Sequence, residues 1–172
     1  MPLPYLFSAQ KSISYRPNWT APDKEDGHTR IVAALDVGEI TEASLALLCS
    51  AYAHLPDRHV SVEICINGLD GKRRIRLARV DWKSIKGGHS NKRGHCKGDW
   101  DGKRVPETHY HSFEMNYVTA ERRMKAGKLP CARPIDEPLQ SFEELCAFIG
   151  FNFNIKNMDV VAPPPWEYKL PL

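Results

Sequence analysis

The sequence predicts an α+β domain, an antiparallel sheet of three to five strands packed against two helices, and three patterns carry that expectation. Val60, Val62, Ile64 and Ile66 alternate with Ser61, Glu63, Cys65 and Asn67, the period-two signature of a strand with one buried face. After the short Gly68 to Gly71 link, an Arg-studded, β-branched run from Arg73 to Trp82 returns, so the two form a hairpin. Ser141 and Glu144 fit a capping box, and Phe142, Leu145, Cys146 and Ile149 follow at helical spacing up to Gly150.

Taken in order, residues 1–29 mix Pro2, Pro4, Pro17 and Pro22 with polar residues and show no period, which predicts an extended N-terminal arm. Residues 30–161 form a single domain, since 172 residues suffice for one core. Ile31 to Val37 reads as a strand broken by Gly38. Thr41 is a candidate N-cap, and Leu45, Leu48, Cys49 and Tyr52 fall at i, i+3, i+4 and i+7, predicting a helix around Glu42 to His54 that Pro56 stops. Lys86 to Lys103 holds five glycines and no apolar period, the marks of a long mobile loop. Thr108 to Tyr117 reads as a third strand with His109, His111, Phe113, Met115 and Tyr117 on one face. Thr119 to Ala126 suggests a short basic helix closed by Gly127, and Phe151, Phe153 and Ile155 alternate as a strand would. Residues 162–172 form a Pro-rich tail, stiff from Pro163 to Trp166 and able to dock on its own domain or a partner.

Composition narrows the setting. The apolar runs, such as Ala43 to Ala53, stop short of the roughly 18 residues a membrane span needs, so no membrane partner is expected. The first residues lack a charged leader and an apolar core, which points to a cytoplasmic protein. Five cysteines, an odd number without a Cys-x-x-Cys pair, favour a reducing compartment. Cys49, Cys65 and Cys146 look like small hydrophobes; Cys96 sits in polar company.

The net charge of +3 is unevenly spread: Lys72 to Arg104 holds twelve Lys/Arg against three acids, leaving the rest of the chain acidic. Such a field attracts RNA or another polyanion, or an acidic protein partner, in a salt-dependent way. Arg73, Arg74, Arg76 and Arg79 on the strand, and Lys92, Arg93, Lys97 and Tyr110 beyond it, are the candidate anion-binding residues.

Three chemistries compete for His89, His95, Cys96, His109 and His111. Metal-free RNA cleavage needs a base, an acid and a cation at the phosphate, and imidazoles titrate near neutrality. His109 and His111, two residues apart on one strand face, would be base and acid, His95 a further candidate, and Arg93 or Lys97 the cation. A metal site is the second reading, because His-x-His on a strand presents two imidazoles to one ion, with His95, Cys96 or Glu114 to complete it. On a regular strand Glu114 would face away, so no metal or other cofactor is assigned. In the third reading the basic face only binds, with Trp82, Trp100 and Tyr110 as stacking or anchoring rings. No Gly-x-Ser-x-Gly, phosphate-loop or dinucleotide motif is present.

His95, Asp101-Gly102 and the run Thr108, His109, Tyr110, His111, followed by the helix and hydrophobic segment from Phe142 to Ile155, resemble a family of short prokaryotic proteins. In that family an Arg-rich strand leads into a His, Asp-Gly, His-x-His hairpin, and the whole looks loosely like the small toxins of toxin–antitoxin pairs. The likeness spans roughly residues 60–155 and implies that His95, His109 and His111 are the positions that matter. The chain departs from the pattern in lacking Asn-Pro before Asp101 and in adding Arg122-Arg123. The expectation is therefore an RNA-directed protein, a metal-independent endoribonuclease of toxin type. The alternative is a non-enzymatic inhibitor of phage or mobile-element kind, using the same basic face.

Overall fold

The computed structural model describes residues 2–38, 40–67 and 74–168. Nine strands and three α-helices follow one another as α1 (Leu3–Ser8), β1 (Lys11–Ile13), β2 (His28–Val37), β3 (Ile40–Tyr52), β4 (Val60–Ile66), β5 (Ile75–Trp82), β6 (His89–Ser90), β7 (Arg104–Val105), β8 (His109–His111), α2 (Phe113–Lys125), β9 (Arg133–Pro134) and α3 (Phe142–Phe153). The class is α+β as expected, but the main sheet has seven strands rather than three to five, in the order β1-β2-β3-β4-β5-β8-β9, all antiparallel. Strands β6 and β7 form a separate two-stranded ribbon.

The β4–β5 hairpin holds as read, pairing Val60 with Trp82 and Glu63 with Arg79. Its link, Gly68 to Gly71, lies outside the described residues, as do Lys72 and Arg73. The largest correction concerns Glu42 to His54, which is not a helix but most of the thirteen-residue strand β3. Leu45, Leu47, Cys49 and Ala51 are its buried set, and their spacing of two is the true period. Ala46 and Leu48 on the other face make the same run fit a helical stripe. Pairing along both edges, with β2 and β4, supplies the hydrogen bonds that decide between them.

Other boundaries move for local reasons. The expected strand Thr108 to Tyr117 ends at His111, because the Ser112 hydroxyl accepts the Met115 amide and starts α2. Phe113 then stacks on Tyr117 one turn later, ring centroids 5.0 Å apart. The expected basic helix is the second half of α2. Helix α3 runs through Gly150 to Phe153 and stops at Asn154, in the left-handed conformation at φ 53°, so Phe151 and Phe153 are helical, not a strand.

Both ends fold onto the domain. The stretch read as an extended arm contains α1 and β1, the latter paired with Leu35 to Val37 of β2. The Trp19 indole donates to Ala162 O, Trp166 meets Phe142 edge to face, and the Glu167 amide bonds Ala53 O, so the tail docks on its own domain. Residues 86–103 are an ordered excursion rather than a free loop. Its cysteine, Cys96, is disulfide-bonded to Cys131, with Cα atoms 5.6 Å apart, a pairing that the spacing of the five cysteines did not announce. Cys49, Cys65 and Cys146 are free and buried.

One face of the sheet supplies Ile31, Leu35, Leu47, Val62, Ile64, Val80 and Trp82 to a core shared with Leu145, Ile149 and Phe153 of α3. The opposite face is open over β2 and β3, where Arg30 and Val32 are exposed. No helix among the described residues is long and apolar enough to cross a membrane.

Candidate functional site

Register places the chemistry. On the open face, β5 pairs with β8 so that Asp81 stands opposite His109 and Arg79 opposite His111. Tyr110, between the histidines, points the other way into the core. Cross-strand neighbours on one face are close enough for side chains to touch, and here they do. His109 Nε2 lies 3.3 Å and His111 Nε2 3.7 Å from Asp81 Oδ2. All three residues are buried, at 4%, 5% and 8% exposure.

The other ring nitrogen of each histidine is committed. His109 Nδ1 donates to Pro106 O at 2.8 Å and His111 Nδ1 donates to Cys131 O at 3.1 Å. A carbonyl only accepts, so each Nδ1 carries a hydrogen and the lone pair of a neutral ring lies on Nε2. Arg79 holds the far oxygen of the carboxylate, with Nη2 and Nε at 2.6 and 3.0 Å from Asp81 Oδ1. Burial opposes ionisation of Asp81, but His109, when it carries a second proton on Nε2, and the Arg79 guanidinium outweigh it and hold the carboxyl well below the usual range. Burial pushes His111 down to about 3, against the pull of Asp81, so it is neutral at ordinary pH. The ligand atoms of Asp81, His109 and His111 lie within 4.8 Å of one another, making these the residues that could hold a metal.

The cluster walls a cavity of about 380 Å³ that also takes in Tyr52, His59, Ser61, Lys86 and His89. His89, on β6, packs edge-on against His111 at 4.8 Å between centroids and donates from Nε2 to Pro130 O at 3.0 Å. It also borders a second depression, about 530 Å³, lined by Arg76, Ser90, Lys92, His95, Arg123, Lys128, Leu129 and Pro130. Among the described residues lining it, none is acidic. A third depression carries Arg30, Arg74, Arg76 and Arg79 around Glu63, which pairs with Arg74 and Arg76 at 3.2 and 3.1 Å.

The expected residues therefore divide. His109 and His111 share a site, with Arg79 fixing its carboxylate. His95 does not join them; it lines the basic depression with Lys92. Arg74 lines the depression around Glu63, Arg76 lines both that one and the basic depression, and Arg73 is outside the described residues. Arg93 and Lys97 are exposed on the excursion, Arg93 packing beside Gly102, and neither lines the histidine cavity. Tyr110 is buried among Phe148 and Phe153, with the Arg133 guanidinium over its ring. Sequence reasoning grouped His89 with the other histidines but missed Asp81 as a member of the site. Asp81 does alternate in phase with Arg79 on its strand, which could have marked it as outward-facing. No family model matches the chain, and neither a curated protein nor a solved structure is significantly similar to it.

Proposed function

We propose that this protein acts on RNA, holding its backbone in the basic depression and meeting a phosphodiester at the histidine cavity. The observation that carries this reading is the depression walled by Arg76, Lys92, His95, Arg123 and Lys128, which joins the cavity through His89. Four Lys/Arg side chains with no lining carboxylate, three of them not engaged by Glu63, favour a polyanion over a single small anion, since successive phosphates along a strand meet successive cations. Within the cavity, both Nδ1 atoms are engaged by backbone carbonyls, which turns the Nε2 atoms of His109 and His111 toward a bound phosphodiester.

The test is fluorescence anisotropy with a labelled single-stranded RNA across a salt series, followed by analysis of the strand for cleavage. Binding should weaken steeply with salt, and Arg123→Glu with Lys128→Glu should weaken it at least tenfold while leaving the fold intact. Absent or salt-independent binding would sink the proposal. RNA bound but uncleaved in EDTA and in added divalent metal would remove its catalytic half and leave a binding protein.

A further inference from the structure

We propose that Asp81, His109 and His111 form a binding site for one divalent transition-metal ion, such as Zn²⁺ or Fe²⁺, through Asp81 Oδ2 and the two Nε2 atoms. The argument starts from hydrogen-bond accounting. With each Nδ1 donating to a backbone carbonyl, the two Nε2 lone pairs and a carboxylate oxygen face the same point. Three acceptors cannot satisfy one another, and their convergence on one point favours an electrophile placed there. A proton, a water or a cation between them relieves that opposition.

A proton supplies only part of the answer. It can join Asp81 Oδ2 to His109 Nε2 across 3.3 Å, but the 3.7 Å to His111 is beyond hydrogen-bond reach, so the His111 lone pair is left facing a carboxylate. A metal ion serves all three at once. Bonds of 2.0–2.1 Å in tetrahedral geometry put neighbouring ligand atoms about 3.3 Å apart, close to the two separations here. Small side-chain movements close the rest.

The surroundings match a metal site in two further ways. Each imidazole is oriented by a hydrogen bond from its distal nitrogen to a carbonyl, the arrangement that fixes ligating histidines. Arg79 binds Oδ1 of the carboxylate and leaves Oδ2 free to coordinate. Two imidazoles and one carboxylate suit zinc, iron, cobalt or nickel and not the oxygen-seeking magnesium or calcium. The ligands come from one side, β5 and β8, so the remaining coordination positions open to the cavity of about 380 Å³. There a bound water or an anionic ligand has room.

The test uses the full, tag-free chain, stripped with chelator and titrated with Co²⁺ and Zn²⁺, without RNA. The expected result is one equivalent of Co²⁺ with visible ligand-field bands, displaced by Zn²⁺. Asp81→Asn, His109→Ala and His111→Ala should each weaken it at least tenfold, and His95→Ala should leave it unchanged. Should a triad variant fail to fold, imidazole ¹⁵N resonances of the unmutated protein decide: Zn²⁺ must shift the Nε2 signals of two histidines together. Absence of cobalt bands, undiminished bands in a folded triad variant, or a lone protonated His109 with no metal uptake would overturn the proposal. Because metal binding is read without RNA, its failure and that of the RNA reading are separate results.

Discussion

Asn116 grips Cys131 from both ends of its amide: Nδ2 donates to the Cys131 carbonyl at 2.9 Å, and Oδ1 accepts the Cys131 amide at 3.0 Å. That same carbonyl accepts from His111 Nδ1. A fully buried side chain on α2 thus sets the position of the group that aims His111. Asn91 does the same for Ala132, with Nδ2 on its carbonyl at 2.7 Å and Oδ1 on its amide at 2.9 Å. The two asparagines thus pair with the backbone of Cys131 and Ala132 much as a neighbouring strand would.

Asn116→Ala removes three buried hydrogen bonds, including one to Ser112 O, and leaves a hole on α2. The expected cost is roughly 2–4 kcal/mol from the lost partners and the cavity together. Urea unfolding measures it. A loss below about 1 kcal/mol would mean that the clamp is dispensable.

Gly88 carries a steric prediction. A Cβ there would lie 1.7 Å from the Val105 carbonyl oxygen, a backbone atom that cannot rotate away. Gly88→Ala should therefore push β6 from β7, destabilise the protein by about 1–3 kcal/mol, and displace the adjacent His89 from the cavity. Thermal unfolding gives the first effect and histidine NMR shifts give the second. Unmoved histidine signals would show that the contact does not place His89.

Alkaline stability follows from four buried groups. Burial pushes the thiols of Cys65 and Cys146 up to about 12 and that of Cys49 higher still, from an ordinary value of 9.0. Above pH 9 the unfolded chain loses protons that the folded chain keeps, so stability falls as pH rises. Lys11 works in the opposite sense. Burial lowers it from 10.5 to about 8, so between those values the unfolded chain binds more protons and stability rises. One amine offsets three thiols only to about pH 9. Stability should stay nearly flat from pH 8 to 9 and then drop by roughly 2 kcal/mol by pH 10. Urea midpoints across that range check it, and Cys146→Ala should soften the drop.

Much of this arrangement was legible in the residues, and what was not depended on distant pairing. Alternation along His109, Tyr110 and His111 is local, so the shared face of the two histidines could be read directly. Asp81 joins them only through the β5–β8 register, a contact 28 residues away that no local pattern announces. His95 failed for a related reason. Asp101 accepts the Gly94 and Cys96 amides at 2.9 and 3.1 Å, and the disulfide ties Cys96 to Cys131, so the excursion curls on itself and carries His95 to the basic depression. The β3 error was one of ambiguity. The run Leu45 to Cys49, apolar on both faces of β3, satisfies two periods, and only partners on both sides choose between them.

The shape of the seven-stranded sheet also bears on how the protein keeps to itself at high concentration. Its outermost strands are β1 with three residues and β9 with two, and one residue of β9 is Pro134, which has no amide hydrogen to offer. The long strands β3 and β4 are paired along both edges, while β1 flanks β2 at Leu35 to Val37 and β8 flanks β5 at Arg79 to Asp81. At these two outermost strands an incoming extended chain finds a template of three and two residues, too short to extend the ladder far.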